Sequence, residues 1–521
     1  MARILARRTL SRIDMDQPET SGQQPVFDFL SQPATHGGAE VKRIDTHAAS
    51  VFLTDKRVLK IKRAVRFTFL DYTTLEKRKA ACEAEIDVNR LYAPGIYRGV
   101  VPITREAGGE LAIDGKGEPV EWAVEMARFD ETKGLDHLAD SGRIDLNLAD
   151  ALGRAVAKAH AAVPVVKHAG FADTLAAIVG QSDGELRAAS DLFSARDVDA
   201  LAAANRAALE RVRALLMARE RDGYVRRCHG DLHLGNIVLI DHVPVLFDAL
   251  EFSPKLATID VFYDLAFLLM DLIERDLTIA ANIVLNRYLT ETNRDSDLDA
   301  LAALPLLMSL RAAIRAKVTA ARPKRDAAME KNARHYFALA QRLLTPPQPM
   351  LVAVGGLSGT GKSVLARALA ASVLPLPGAI HLRSDVMRKT LFGVAETERL
   401  PASAYTPEVT AQVYAAMADK ARQVLAAGHS AIVDAVFAKT DERNAIAQAS
   451  PGTPFKGLFL TAAVAVRVAR VGGRTGDASD ADAAIARAQE QYDLGALDWQ
   501  EVDGSGTPDE TLRRGKAALR L

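Results

Sequence analysis

A short segment near the middle of the chain holds four polar residues whose types and spacing suit one kind of chemistry. It reads CHGDLHLGNIVLIDHVPVLFD, residues 228–248, and contains His229, Asp231, Asn236 and Asp248. A carboxylate on a loop can accept the proton of an attacking hydroxyl. Amide and carboxylate oxygens are the hard ligands that Mg²⁺ prefers. Phosphoryl transfer needs both, so we expect Asp231 to act as the catalytic base and Asn236 and Asp248 to bind Mg²⁺.

The order of these residues is more specific than their types. The spacing His-x-Asp-Leu-x-x-x-Asn matches the catalytic loop of kinases. The apolar runs 237–240 and 243–247 predict a β-hairpin that carries the loop and the metal ligand Asp248 on a rigid support. The alternative is that these are turn residues, because Asp, Gly and Asn are common in turns. The ordered set of His-Gly-Asp, Asn, strand and Asp is much rarer by chance, which favours the catalytic interpretation.

The stretch HGDLHLGNIVL, followed by FDALEF, resembles the aminoglycoside phosphotransferase family, a branch of the protein-kinase-like fold. The resemblance covers about residues 40–340. It implies the same catalytic base and the same Mg²⁺ ligands as the chemistry above. The next segment, IDVFYDLAFLLMD, resembles the helix that follows the metal-binding aspartate in this family. That similarity implies that Asp260 or Asp264 supports the fold instead of contacting the substrate.

Two departures from the kinase pattern bear on the substrate. No G-x-G-x-x-G segment is present to cover the phosphates, and the matching loop, DTHAAS at residues 45–50, lacks glycine. Antibiotic kinases of this class often lack that motif too. Asp248 is followed by Ala-Leu instead of Phe-Gly, which argues against an activation switch of the protein-kinase type. A kinase that acts on small molecules is therefore favoured over a protein kinase.

A kinase-like fold also needs a strand lysine that pairs with a helix glutamate. In RVLKIKR, Lys60 and Lys62 lie on one face of a strand. The V-L-K ending resembles the strand lysine of the family, so we predict that Lys60 binds ATP, with Lys62 as the alternative. Glu85 lies nearer than Glu83 to the expected apolar stripe of the next helix, which makes Glu85 the predicted partner. That stripe consists of Ala81, Ala84, Val88 and Leu91. The alternative for the predicted lysine and for Glu85 is that each is a solvated surface charge.

A second nucleotide site is indicated by GGLSGTGKS, residues 355–363, which matches G-x-x-x-x-G-K-S. It follows the apolar strand MLVAV and precedes a helical segment, which is the context that a P-loop requires. Backbone N–H groups of such a loop turn toward phosphate oxygens at a helix N-terminus. Lys362 is expected to reach the β- and γ-phosphates and Ser363 to bind Mg²⁺. The glycines of this predicted ATP-binding loop are Gly356, Gly359 and Gly361.

Three later segments predict the acceptor side of this second site. AIHLRSDVMRK resembles the acceptor-binding strand of small P-loop kinases of the gluconate, shikimate and zeta-toxin types. The resemblance implies that Asp385 orients or deprotonates the acceptor hydroxyl and that Arg388 binds the acceptor. Asp434 ends another predicted strand, where α/β sites are built, and is a further acceptor-binding candidate. Arg470 and Arg474, in a Gly-rich acidic segment, are expected to form a mobile lid that supplies cations to the transferring phosphate.

The order of the predicted helices and strands indicates that two domains, of the α+β and α/β classes, carry these sites. The first is a two-lobed protein-kinase-like domain; the second is a P-loop NTPase-type α/β domain with a parallel sheet. The sequence TPPQP separates them, since three prolines in five residues cannot continue a helix. The basic N-terminus is expected to be a disordered tail, with a transit peptide as the alternative. The predicted boundaries are tail 1–25, kinase domain 26–345 with lobes 26–142 and 143–345, linker 346–349, and P-loop domain 350–521.

Composition excludes several other classes. The chain of 521 residues has 66 basic and 66 acidic residues, so no net charge favours nucleic acid or an anionic membrane as partner. Two cysteines argue against a disulfide scaffold and indicate a cytoplasmic protein. We expect two kinase-type sites that use ATP and Mg²⁺ to phosphorylate hydroxyl groups of a sugar or aminoglycoside-like molecule. This fusion resembles bacterial bifunctional aminoglycoside phosphotransferase/ATP-binding proteins. The alternatives are one catalytic domain with an ATP-binding regulatory module, a zeta-toxin-like sugar-nucleotide kinase, or a non-enzymatic interaction protein.

Overall fold

The computed structural model describes residues 20–67, 70–322, 324–449, 451–473 and 476–521. The chain divides into two compact units. The N-terminal unit comprises the residues up to Leu277 together with Leu306–Leu344. The C-terminal unit comprises Thr278–Pro305 together with Thr345–Leu521. Within the described residues, no helix is both long enough and apolar enough to cross a bilayer.

The N-terminal unit begins with an antiparallel six-stranded sheet of order β1-β2-β3-β8-β6-β7. Helix α1, Gln24–Ser31, packs on one face against Leu59 and Ile61. Helix α2, Leu75–Asn89, packs on the other face, against a core that includes Val58. Since side chains alternate along a strand, Lys60 and Lys62 point to the face that α2 covers. The strands are β1 Lys42–Asp45, β2 Ala49–Leu53, β3 Arg57–Lys62, β4 Arg66–Phe67, β5 Leu70–Asp71, β6 Tyr97–Arg105, β7 Leu111–Ile113 and β8 Glu118–Ala127.

Residues 20–25 are helical, which differs from the predicted disordered tail. Val26, Phe27 and Leu30 of α1 are buried against the sheet, and this apolar face orders the segment. Gln23 is buried as well: its side chain accepts a hydrogen bond from the Ala64 N–H at 2.7 Å and donates to the Lys62 carbonyl at 2.9 Å. The expected disorder of residues 1–19 lies outside the described residues.

Between residues 135 and 343 the chain is mostly helical. The predicted hairpin is confirmed: β10, Ile237–Ile240, pairs antiparallel with β11, Val243–Leu246. Its two turn residues, Asp241 and His242, both have positive φ, as a type I′ turn requires. The remaining strands here are β9 Val225–Arg227 and β12 Thr258–Asp260. The helices are α3 Leu135–Asp140, α4 Leu146–Ala162, α5 Phe171–Ala188, α6 Ala195–Arg221, α7 Pro254–Ala257, α8 Val261–Glu274, α9 Thr278–Thr292, α10 Asp295–Ala300, α11 Leu304–Ala320 and α12 Ala327–Leu343.

The C-terminal unit is built on a parallel five-stranded sheet of order β14-β15-β13-β16-β17, with β13 in the centre. This order agrees with the α/β architecture expected from the sequence. The strands are β13 Leu351–Gly356, β14 Ile380–Arg383, β15 Ala431–Asp434, β16 Phe455–Thr461 and β17 Gln500–Asp503. The helices are α13 Lys362–Ala370, α14 Ser384–Leu391, α15 Pro407–Ala426, α16 Thr440–Ala447, α17 Val464–Gly472, α18 Ala483–Ala488 and α19 Pro508–Leu519.

Helix α9 completes the edge of this parallel sheet. Asn286 accepts a hydrogen bond from the His381 N–H at 2.7 Å and donates to the Ala379 carbonyl at 3.1 Å. Asn282 donates to the same carbonyl at 3.0 Å. An edge strand presents unpaired backbone groups, and here asparagine side chains pair with them. Residues 278–305 therefore group with the C-terminal unit, whereas the sequence predicted a single boundary near residue 345.

Replacing Asn286 with alanine should destabilise the C-terminal unit by about 1–3 kcal/mol, because the His381 N–H and the Ala379 carbonyl both lose a partner. Calorimetric unfolding measures the effect. Thr290→Ala, on the same helix, is the matched control because Thr290 is exposed and its hydrogen bond to the Asn286 carbonyl stays within α9. An unchanged transition in Asn286→Ala would show that these hydrogen bonds do not hold α9 to the sheet edge.

His429, just before β15, predicts an acid sensitivity of the C-terminal unit. The side chain is fully buried, neither ring nitrogen has a hydrogen-bond partner among the described residues, and burial lowers its pKa to about 4. The unfolded chain, with a pKa near 6.5, binds the proton more readily, so stability is lost as pH falls from about 6.5 toward 4. His429→Leu should reduce the loss of unfolding free energy between pH 7.5 and pH 5 by about 2 kcal/mol. The check is thermal unfolding at both pH values, with the exposed His47→Gln as control; an equal acid loss in His429→Leu refutes the assignment.

Candidate active sites

A buried carboxylate on α8 holds the loop that carries Asp231. Asp264 accepts the His229 N–H and the Gly230 N–H, each at 3.0 Å. The His160 Nε2 atom lies 3.3 Å from the same carboxylate. Burial alone would raise the pKa of Asp264, but the hydrogen bond from His160 and nearby positive charges hold it below its ordinary value. An ionised Asp264 therefore fixes the backbone on the N-terminal side of the predicted base.

His229 also supports the loop, and Asp260 forms a separate structural ion pair. The Nδ1 atom of His229 accepts the Asp231 N–H at 3.3 Å, so its Nε2 carries the proton and donates to the Phe247 carbonyl at 2.9 Å. Burial lowers the pKa of His229, which favours this neutral ring. Asp260 forms a two-pronged ion pair with Arg219, at 2.8 and 3.0 Å. Both aspartates of the α8 segment thus contact structural groups, as the resemblance implied.

Asp231 and Asn236 face each other across the loop. The Asn236 amide nitrogen donates to the Asp231 carbonyl at 2.9 Å and to the Asp231 carboxylate at 3.1 Å. Asn236 is buried, whereas a quarter of the Asp231 side chain is exposed. The His233 Nε2 atom lies 3.6 Å from the same carboxylate. The structure thus brings the predicted base and the predicted amide ligand together, with the base open to a substrate.

Asp248 follows β11 and meets the strand lysine. Its φ of 60° lies in the left-handed region, which non-glycine residues rarely adopt. Its backbone N–H donates to the Tyr97 hydroxyl at 3.1 Å. The Lys60 Nζ atom lies 3.1 Å from the Asp248 carboxylate and 2.6 Å from the Glu85 carboxylate. Asp248, Lys60 and Glu85 are buried together, so the lysine, glutamate and metal-ligand candidates lie in one site; their roles stay predictions.

Lys62 occupies the other half of the same cluster. Its Nζ atom lies 2.5 Å from the second oxygen of Glu85 and 2.6 Å from Glu251. Burial opposes the charge on Lys62, but Glu251 and Glu85 raise its pKa well above the ordinary value. Sequence reasoning missed Glu251, for which the available signal was its position three residues after Asp248. Both lysines contact Glu85, and only Lys60 contacts Asp248 among the ion pairs described here.

The donor atoms of this site fit Mg²⁺. The amide oxygen of Asn236 and the carboxylate of Asp248 are hard oxygen ligands at the open end of one hairpin, where Asn236 precedes β10 and Asp248 follows β11. The ion pairs of the buried cluster join three carboxylates and two ammonium groups, one more negative than positive charge within this set. A cation beside Asp248 would balance it.

The P-loop of the C-terminal unit has the expected strand–loop–helix context. Strand β13 ends at Gly356, and α13 begins at Lys362. Gly356, Gly359 and Gly361 have φ values of 143°, 88° and 95°, which side chains disfavour. At Gly359 a Cβ atom would lie 2.5 Å from the Arg467 carbonyl, so the loop also requires glycine for close packing. Lys362 is buried and Ser363 is half-buried at the helix N-terminus.

Asp434 lies at the end of β15, which neighbours β13 in the sheet. It is buried, and neither of its carboxylate oxygens has a hydrogen-bond partner among the described residues. The His381 Nε2 atom lies 3.5 Å and the Arg383 Nε atom 3.7 Å from its carboxylate. Burial raises the pKa of Asp434, but the interaction with His381 and the nearby charges of Lys362 and Arg383 hold it at about 2. A buried carboxylate with only these long contacts among the described residues fits Mg²⁺, to which Ser363 would add a hydroxyl. The predicted acceptor-binding role of Asp434 stays a prediction.

The predicted acceptor residues of α14 differ in exposure. Asp385 is half-buried. Arg388 is buried: it donates to the Ala404 carbonyl at 2.6 Å and to the Thr410 hydroxyl at 3.4 Å, and it lies over the Tyr405 ring. In this structure Arg388 therefore holds residues 402–410. Its role in acceptor binding stays a prediction.

The prediction for Arg470 is wrong about its position, and Arg474 lies outside the described residues. Arg470 belongs to α17, not to a loop. Its guanidinium donates to the carbonyls of Thr360, Gly504 and Gly506, the two closest at 2.7 and 2.8 Å. The helix extends this far because its buried face, including Val471, packs in the unit.

Sequence reasoning missed two residues that contact the P-loop. Arg467 is buried and donates to the Ser358 carbonyl at 3.1 Å. The Gln489 side chain accepts the Ser358 N–H at 2.6 Å. The acidic segment expected in the lid is bound to the α14 region, since Asp477 pairs with Arg383 at 3.0 Å and Asp480 with Lys389 at 2.7 Å. No local motif marks these partners, because each is far from its contact in sequence.

Comparison with known proteins agrees with the two sites. Residues 45–304 match the phosphotransferase enzyme family, and residues 351–494 match the AAA domain family. An uncharacterised protein of Mycobacterium tuberculosis is 30% identical over 515 residues, which cover 96% of this chain and 98% of the relative. An uncharacterised protein of Mycobacterium bovis matches to the same extent.

Two solved structures resemble separate parts of the chain. A choline/ethanolamine kinase family protein from Mesorhizobium loti is 15% identical, covers 63% of this chain and 96% of its own, and has a TM-score of 0.40. A gluconokinase from Sinorhizobium meliloti 1021 is 22% identical, covers 33% of this chain and 92% of its own, and has a TM-score of 0.25. Because the mycobacterial match spans nearly the whole of both chains, the chain belongs to the same family as those proteins. It is an ATP-dependent kinase in which a domain of the phosphotransferase enzyme family precedes a P-loop domain that matches the AAA domain family.

Proposed function

We propose that the N-terminal unit transfers the γ-phosphoryl group of ATP to a hydroxyl group of a small molecule. The observation that carries the proposal is that Lys60, Glu85 and Asp248 meet in one buried cluster at the open end of the β10–β11 hairpin, the end that also carries Asp231 and Asn236. These are the groups that phosphoryl transfer requires. The loop after Asp248 supports a small acceptor, because Ala-Leu follows it in place of the Phe-Gly of protein kinases.

Each group has a distinct task in this proposal. Asp231, the partly exposed carboxylate of the loop, accepts the proton of the attacking hydroxyl. Lys60 binds the phosphates, and Glu85 holds the ammonium in place. Mg²⁺ bound by Asn236 and Asp248 would neutralise charge on the phosphates. Asp264 and His229 keep the loop rigid, so that little reorganisation is needed when substrates bind.

The C-terminal unit is proposed as a second kinase site. The P-loop backbone and Lys362 bind ATP, Ser363 and Asp434 are placed to hold Mg²⁺, and Asp385 is the candidate base for a second hydroxyl acceptor. A regulatory ATP-binding module is the competing function. The observation that favours it is that Arg388 and Arg470 both donate to backbone carbonyls, so neither is committed to a substrate.

Replacing Asp231 with alanine should lower phosphate transfer by the N-terminal unit about 10²–10⁴-fold, the usual contribution of a positioned base. ATP affinity should change little, because Asp231 is not among the predicted phosphate contacts. The measurement is transfer from γ-labelled ATP with Mg²⁺ into a panel of sugars, aminoglycosides and cell extract, alongside calorimetric ATP binding. Asp241→Asn, in the turn of the same hairpin, is the control, because asparagine also tolerates the positive φ of this position. A large loss of ATP affinity in Asp231→Ala would contradict the assigned role.

Replacing Lys362 with alanine should abolish most nucleotide binding by the C-terminal unit and leave the labelled product of the N-terminal unit unchanged. The physical reason is the loss of the ammonium that reaches the β- and γ-phosphates. Lys456→Ala, an exposed lysine on β16, serves as control. If each of Asp231→Ala and Lys362→Ala removes a different labelled product, both units are kinases. If Lys362→Ala removes no product but changes the rate of the other reaction, the regulatory function is correct.

A further inference from the structure

The buried ion pairs of the N-terminal site form a continuous series of five side chains. Asp248 contacts Lys60, Lys60 contacts Glu85, Glu85 contacts Lys62, and Lys62 contacts Glu251. The two ends, Asp248 and Glu251, are only three residues apart in sequence. Each oxygen of Glu85 bonds a different lysine, at 2.6 and 2.5 Å. All five side chains are at least 95% buried, so solvent compensates none of these charges.

This series gives Lys62 a task that Lys60 cannot perform alone. When Lys60 binds the phosphates of ATP, its ammonium group is shared between the phosphates and Glu85. A buried carboxylate whose counter-ion is shared in this way is destabilised unless it has another partner. The second oxygen of Glu85 keeps Lys62 as partner, so Glu85 stays compensated while Lys60 also contacts the nucleotide.

The ion pair between Lys62 and Glu251 also fixes the loop that holds Asp248. The positive φ of Asp248 is an unfavourable conformation that persists only when its surroundings fix it. The Ala249 N–H donates to the Asn89 side chain at 2.8 Å, and the Leu250 carbonyl accepts from Arg227 at 2.8 Å. The ion pair between Glu251 and Lys62 fixes the end of the same loop to β3.

We propose that Lys62 and Glu251 are a positioning pair for the ATP site: Lys62 keeps Glu85 compensated while Lys60 is shared between Glu85 and the nucleotide, and Glu251 fixes the loop of Asp248. The inference rests on the proposed function of the N-terminal unit. Neither residue contacts the substrate in this scheme, and both act through Lys60, Glu85 and Asp248.

The test is calorimetric titration of the full chain with ATP, with and without MgCl₂, in a Lys362→Ala background that silences the P-loop. Lys62→Met should weaken ATP binding about 10- to 100-fold, the range expected when a hydrogen bond to a charged group is lost. Lys62→Arg should recover most of the affinity, because it restores the positive charge.

The double variant Lys62→Met/Glu251→Gln separates positioning from simple stability. It removes one charge of each sign, so the thermal midpoint should return toward that of the background protein even if either single variant folds poorly. ATP affinity should stay low, since Glu85 then depends on Lys60 alone. If affinity recovers together with the midpoint, the pair is only structural and the inference is overturned.

The Lys60→Met variant distinguishes an error in the positioning role of Lys62 from an error in the proposed ATP site. It should weaken ATP binding at least as much as Lys62→Met. If Lys60→Met leaves ATP affinity unchanged, the assigned ATP site is wrong and both proposals fall. If Lys60→Met weakens binding and Lys62→Met does not, only the positioning role is refuted.

Discussion

Two lysine ammonium groups are buried beneath a helix on the third strand of the N-terminal sheet, and their need for counter-charges organises the surrounding structure. An uncompensated charge in the interior costs several kcal/mol, so carboxylates must lie within contact distance. Glu85 comes from α2, and Asp248 and Glu251 come from the segment after β11. The sheet, the helix and the hairpin are thereby brought together at one point. That point is also where a nucleotide and Mg²⁺ would need charges of both signs.

The predicted phosphate-binding site of the C-terminal unit is built differently. Its loop offers backbone N–H groups, and the requirement is for glycine where φ is positive and where the Arg467 carbonyl approaches Gly359. The charged side chains of this site are Lys362 and Asp434, and the low pKa of Asp434 reflects the groups around it. The N-terminal site therefore depends on paired side chains, whereas the C-terminal site depends on backbone conformation. Substitutions that change charge are expected to damage the first, and substitutions at glycine the second.

Local spacing predicted the parts of the fold that local chemistry determines. The hairpin of β10 and β11, the P-loop and the anchoring aspartates of α8 follow from segments shorter than twenty residues. Glu85 was chosen correctly as the inward carboxylate, but the apolar stripe used to choose it was wrong. The buried face of α2 instead includes a charged residue, Arg78, which pairs with Glu121 of β8 at 2.9 Å. Hydrophobic periodicity could not detect a helix face that is buried through ion pairs. The buried positions of that face are Arg78, Cys82, Glu85, Ile86 and Asn89.

The residues that sequence reasoning missed share a physical property: their partners are distant in the chain. Glu251 meets Lys62 across 189 positions, and Gln489 meets Ser358 across 131. Asn286 is a stronger case, because its partner, His381, belongs to the sheet of the other predicted domain. The proline-rich segment before residue 350 marked where the chain can leave one unit, but it could not show that α9 had already joined the next. Backbone groups on an open sheet edge select whatever side chains can pair with them, so a domain boundary follows hydrogen bonding at least as closely as it follows helix-breaking residues.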